Sequence, residues 1–219
     1  KEILDFGEIV DIELTTYPSA EAQVAAQSDD IAYNNHDIED GLRAGLFRIN
    51  DLSNVPLIGP IFYNVRKTYP DISESRMIHE AVRQMIGEMV GDFLSETSRR
   101  LSCINPKSAD DIRCHKGPIA AFSDTMLKND IALKKFLFEN MYRHFKLNRM
   151  TSKARRVVKD LFNLLVNEPE CLPTEWRVKA GKPASKESAK LVTDYIAGMT
   201  DRHALDEHRR LFDVQARTS

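Results

Sequence analysis

Between Met77 and Leu94 the chain carries Met77, Ile78, Ala81, Val82, Met85, Ile86, Met89, Val90, Phe93 and Leu94 at three- and four-residue spacing, with polar residues opposite. That period belongs to an α-helix whose apolar stripe faces a core, and it predicts a helix over about Ser73 to Leu101. Gly87 and Gly91, one turn apart, would let a second helix approach closely. Alternating runs of the β kind are nearly absent after Thr16, so the expected class is all-α. One short strand or extended lead-in is expected over Ile9 to Leu14 (IVDIEL), stopped by Thr15, Thr16 and Pro18.

Punctuation residues divide the rest. Ser19 is a candidate N-cap for a helix running to Gly45, with Glu21 in its first turn to meet the helix dipole. Asn50 to Pro60 reads as a loop, followed by a short helix ended at Tyr69-Pro70. Residues 103–124 read as a long irregular connection. Helices are then expected over Asp130 to Phe145 and Ser152 to Val166, the second with Ala154, Val157, Val158, Leu161, Phe162 and Leu165 inward, and over Lys186 to Ala197 and Asp201 to Phe212 beyond a polar break at Gly181 to Ser185.

The 219 residues, 42 % of them hydrophobic, suffice for a sizeable core. Apolar runs are too short to span a bilayer and no leader is recognisable, so a soluble, cytoplasmic protein is expected. Three cysteines at unrelated spacings draw neither a disulfide framework nor a metal pair. The start at Lys1, in an apolar-acidic stretch, reads as the middle of a longer protein.

A net charge of -2 conceals segregation: residues 1–40 hold eleven acids and one base, whereas residues 134–159 hold nine Lys or Arg and one acid. The basic segment suits a phosphate ester or single-stranded nucleic acid, or is a solvated helix face. On the first helix Asp29, Tyr33 and Asp37 fall four apart along one face, with His36 and Asp40 at its edges. Like charges at this spacing oppose helix formation unless a metal ion, a sugar hydroxyl or a base compensates. Carboxylate oxygens suit Mg2+ or Mn2+, and a mixed His and Asp set suits Mn, Fe, Co or Ni. A solvated acidic face remains the alternative.

The run from Glu21 to Gly45 (EAQVAAQSDDIAYNNHDIEDGLRAG) resembles, nearly residue for residue, the segment holding the last metal-binding aspartate in bacterial dGTP triphosphohydrolase-like proteins of the HD-domain superfamily. Phe138 to Met150 (FENMYRHFKLNRM) and Asp194 to Phe212, with YIAGMTDR and DEHRR, are similar to later parts of that family. The resemblance implies an HD-type helical fold seen in its C-terminal part, divided into residues 1–101 (core with the last metal-ligand helix) and 102–219 (helical region with the basic segment). By position it assigns Asp29 to the metal, Tyr33 to the deoxyribose face and Asp37 to the sugar 3'-hydroxyl. A looser alignment places Tyr142, Arg143 and His144 toward base and phosphates, with Lys134 two turns earlier.

The activity so implied is cleavage of dGTP or a related dNTP into deoxynucleoside and tripolyphosphate, with a divalent metal and a homo-oligomeric assembly. The family's upstream histidine and His-Asp pair have no counterpart before Asp29, and His36-Asp37 is not that pair. The catalytic groups are therefore expected upstream of Lys1, and the chain alone is expected to be inactive. The competing expectation is a nonenzymatic helical module that binds single-stranded nucleic acid or a partner protein through residues 134–159. His208 is expected in a surface turn salt-bridged to its sequence neighbours.

Overall fold

The computed structural model describes residues 15–216, and among them every regular element is helical. The strand expected over Ile9 to Leu14 lies outside the described residues. The chain forms two compact units, Lys1–His144 and Phe145–Ser219.

The first unit contains α1 (Ala20–Arg43), α2 (Ile58–Thr68), α3 (Glu74–Ile104), the short α4 (Ala109–Arg113) and α5 (Asp124–Leu137). Ser19 caps α1 as expected, its side chain accepting from the Ala22 N–H. The stretch read as a loop is tighter than that: Ile49–Leu52 is a 3-10 turn and α2 already begins at Ile58. Pro60 is tolerated because the first turn of a helix has no N–H bonds to lose. Similarly, part of the irregular 103–124 connection is α4, closed by a Ser108–Asp111 capping box.

Met77, Ile78, Ala81, Val82, Met85, Met89 and Phe93 of α3 are buried, with Ile58, Ile61, Phe62 and Val65 of α2 and Leu133 and Leu137 of α5 in the same core. Edge-to-face pairs Phe47–Phe136 (5.0 Å between centroids) and Phe93–Phe122 (6.0 Å) close it. The stripe on α3 is narrower than its sequence, since Val90 and Leu94 are 38 % and 60 % exposed. Among the described residues nothing approaches Gly87 or Gly91 within 4 Å of an added Cβ, so no described helix makes the close contact expected there. Gly41 is the glycine that matters on α1, because a Cβ there would strike the Phe47 ring.

The helix expected over Asp130 to Phe145 begins earlier, at Asp124, and is interrupted. Ser123 caps it through Met126 N–H and donates to Asp92 of α3 at 2.6 Å. After Leu137 the backbone widens into a π-turn, Phe138–Tyr142, and α6 then starts at Phe145. The division between the compact units follows this turn, because α5 packs its Met126, Leu133 and Leu137 into the first core.

The second unit consists of α6 (Phe145–Asn167), a 3-10 turn (Pro169–Cys171), α7 (Thr174–Arg177), α8 (Lys186–Ala197) and α9 (Asp201–Phe212). Its core is smaller: Leu165, Val166, Leu172, Val192 and Tyr195, with Phe162, Trp176 and Leu211 packed around them. Trp176 meets Tyr195 at 5.1 Å. On α6, Val157, Leu161 and Leu165 face inward as expected, but Ala154 is exposed and Val158 is 48 % exposed. No described helix is long and apolar enough to cross a membrane.

Candidate functional site

Helix α1 is held by polar contacts. Gln23, buried near its start, donates to the Pro18 carbonyl and accepts from the Ile119 and Ala120 N–H groups at 2.9 and 3.2 Å. Three turns further on, Asn34 donates to Asp130 of α5 at 3.1 Å. Asn35 is fully buried, donating to the Ile31 carbonyl and to Met89 Sδ. At the C-terminal end Glu39 accepts from Arg43, and His79 of α3 lies against both. Asn35 with Ile31 and Arg43 with Glu39 are pairs at helical spacing, whereas Gln23 and Asn34 find partners 96 residues away that spacing does not reveal.

Held in this way, α1 presents Asp29, Tyr33 and Asp37 on successive turns. Asp29 is exposed and Tyr33 is 60 % exposed. Asp37 is half-buried because the phenol of Tyr142, delivered by the π-turn, donates a hydrogen bond to its Oδ2. Burial pushes the Tyr142 hydroxyl well above the ordinary phenol range, and the bond and negative charge of Asp37 push it further, with a contribution from Tyr33. Three residues singled out in sequence thus meet: a carboxylate acceptor, a protonated phenol donor and an exposed ring. Such a cluster can orient a hydroxyl and cover a flat apolar face.

Lys134 is placed differently. Its Nζ bridges Asp30 of α1 and Asp130 of α5, both at 2.9 Å. Burial lowers its pKa, but the two carboxylates outweigh that and leave it raised, so the ammonium is retained. It braces α1 against α5. The Asp130–Lys134 spacing was legible as an i,i+4 pair, whereas Asp30 and Asn34 as further partners were not. The Arg143 guanidinium lies over the Phe138 ring at 4.9 Å, and His144 is half-buried at the end of the unit. His36 is exposed beside the cluster.

Asp29 brings a single carboxylate, and no group of three or more His, Cys, Asp or Glu suited to a metal gathers among the described residues. The described residues do not by themselves fit a divalent cation, which requires several ligands.

Residues 120–210 match the family model described as phosphohydrolase-associated domain. Relatives along nearly the whole chain carry the name deoxyguanosinetriphosphate triphosphohydrolase-like protein. That of Parvibaculum lavamentivorans is 52 % identical over 214 residues, covering 98 % of this chain and 54 % of the relative. Those of Caulobacter vibrioides (49 %; 98 % and 54 %) and Azorhizobium caulinodans (44 %; 97 % and 53 %) are similar. The chain spans about half the length of the curated relatives it matches.

Proposed function

Because the chain belongs with the deoxyguanosinetriphosphate triphosphohydrolase-like proteins, we propose that its first unit forms the nucleoside-holding face of a dNTP triphosphohydrolase. The activity in this reading converts dGTP or a related dNTP into a deoxynucleoside and tripolyphosphate. The observation that carries the reading is the meeting of Tyr142 with Asp37, beside Tyr33 on the preceding turn of α1.

Asp37 accepts from the sugar 3'-hydroxyl in this scheme, and the Tyr33 ring covers the deoxyribose. Tyr142 keeps its proton and orients the Asp37 carboxylate by donating to one oxygen, leaving the other open. Arg143 and His144 follow directly after the π-turn and serve the phosphates and base, Arg143 with its planar fork. Lys134 acts indirectly, by fixing the turn of α1 that carries Asp30. Asp29 is one ligand for a divalent ion, Mg2+ or Mn2+, whose remaining ligands lie outside the described residues. The 219-residue chain by itself is therefore expected to bind nucleoside without releasing tripolyphosphate. Homo-oligomerisation belongs to the same reading, and light scattering checks it.

Calorimetric titration of the chain with deoxyguanosine tests the site. Replacing Asp37 by Ala, or Tyr33 by Ala, is expected to weaken binding about fivefold or more, since each removes a contact worth roughly 1 kcal/mol or more. Unchanged affinity in both variants overturns the assignment. Joined to the half of the relatives' length that it does not cover, the chain is expected to release tripolyphosphate, seen by 31P NMR. Orthophosphate instead would point to a different phosphate-ester hydrolase.

A further inference from the structure

In the second unit, α6 and α9 enclose a groove of about 590 Å³, within the size range of small-ligand sites. Its cations come from both walls: Lys153 and Arg156 from α6, Arg209 from α9. Arg209 is shared with Asp206 at 3.8 Å. Lys153 and Arg156 have no acidic partner among the described residues. The groove also contains two carboxylates, and each is engaged. Asp160 pairs with His208 Nε2 at 3.1 Å, and Asp213 accepts from the Gln215 N–H at 3.0 Å.

The floor is apolar and includes Val157 and Leu205. Phe212 stacks on the His208 ring at 4.6 Å and is still 42 % exposed. No residue of α9 is buried, although its apolar side faces this groove. Two unspent cations beside an exposed, braced aromatic ring suit an anion attached to a flat ring. A longer polyphosphate is disfavoured, because its additional charge would meet Asp160 and Asp213.

We infer that the α6–α9 groove is a binding site for a nucleoside monophosphate, its phosphate taken by Lys153 and Arg156 and its base laid against Phe212. This site is built from other residues than the cluster on α1 and does not rest on the function proposed for it.

The test titrates the 219-residue chain with adenosine 5'-monophosphate, adenosine and inorganic phosphate, in parallel with an Asp37→Ala form in which the first-unit cluster is disabled. The monophosphate is expected to bind both forms equally, about tenfold or more tighter than adenosine or phosphate. Lys153→Ala with Arg156→Ala is expected to weaken the monophosphate about tenfold or more, while Lys153→Arg with Arg156→Lys restores it. Phe212→Leu is expected to weaken the monophosphate and leave phosphate unchanged. Equal affinity for monophosphate and phosphate, indifference to the double alanine change, or loss of binding in Asp37→Ala overturns the proposal. Deoxyguanosine binding that ignores Asp37 would instead sink the first-unit reading and leave this one standing.

Discussion

Helices α1 and α6 are nearly equal in length, 24 and 23 residues, yet they use their charges in opposite ways. On α1 the charged side chains are largely spent within the first unit: Asp30 on Lys134, Asp37 on Tyr142, Glu39 on Arg43 and His79. Its buried residues include Gln23, Asn34 and Asn35, each satisfied by specific donors or acceptors apart from Asn35 Oδ1. By contrast α6 buries only Val157, Leu161, Leu165 and Val166, and Lys153, Arg155, Arg156 and Lys159 have no acidic partner among the described residues. A helix fixed by hydrogen bonds has its rotation and register specified, which suits side chains that must meet a ligand at set positions. A helix fixed by an apolar stripe keeps its charges for whatever arrives from outside.

The largest effects should separate the two cores. Leu165→Ala removes a fully buried side chain from the small second cluster and should cost about 2–5 kcal/mol. Met85→Ala should cost a similar amount in the larger first cluster. Chemical denaturation followed by Trp176 fluorescence should report the first change and not the second, since among the described residues Trp176 packs against the second cluster. A Trp176 transition that shifts equally in both variants would erase the distinction between the units.

Next come the polar anchors of α1. Asp130→Ala leaves the Asn34 amide without its acceptor, and Gln23→Ala strands the Ile119 and Ala120 N–H groups. Each should destabilise the first unit by about 1–3 kcal/mol. Gln23→Asn should recover little, because its amide is one methylene too short to reach the Ile119 and Ala120 N–H groups. If the two alanine variants unfold at the parent's denaturant midpoint, α1 is held by packing after all.

A smaller effect, about 0.5–1.5 kcal/mol, is expected for Tyr142→Phe, which removes the bond to Asp37. This pair also has a pH signature. The folded Tyr142 keeps its proton above the ordinary phenol value of 10.0, so its contribution is complete below that pH and is lost as pH rises through the folded value. The parent's stability should therefore fall faster than that of Tyr142→Phe in alkaline titration. Parallel curves would mean that the phenol titrates as in the unfolded chain.

At the bottom of the scale, Arg155→Gln and Lys159→Gln should change stability by less than about 0.5 kcal/mol each, as surface changes that break no ion pair. A loss of 1 kcal/mol or more, estimated on the same scale as about a full exposed ion pair, would reveal a partner on α6 and weaken the contrast.

Helical class and most boundaries were legible because the apolar spacing and the caps are local properties of the sequence. Thus α8 and α9 fall where the periodicity put them, and Asn105-Pro106 ends α3 with Asn105 in the left-handed region. The candidate cluster was legible as residue types four apart on α1, together with the resemblance that pointed to Tyr142. What spacing could not supply was partnership over distance. Lys134 was expected among the substrate-facing residues, and spacing did not reveal that Asp30 would stand across from it together with Asp130. His208 was expected among Asp206, Glu207 and Arg209, yet its partner is Asp160 on another helix, while Arg209 and Arg210 do pair with their sequence neighbours. Apolar periodicity likewise overstated burial at Val90, Leu94 and Val158, because it marks which face a helix prefers to cover and not how much neighbouring surface exists to cover it.

The π-turn at Phe138–Tyr142 sets a rule for insertions and deletions. A wide turn contains one residue more than the α-helix needs, so removing any one of the five would let the backbone regularise without breaking the chain's path. Within the first unit, the residues between the deletion and His144 would then each move by one helical position, about 100° around the α5 axis. Tyr142 would leave Asp37, and Arg143 and His144 would change faces. Point substitutions at Glu139, Asn140 and Met141 should thus be tolerated far better than the loss of a single residue, while at Tyr142 both the position and the hydroxyl are required.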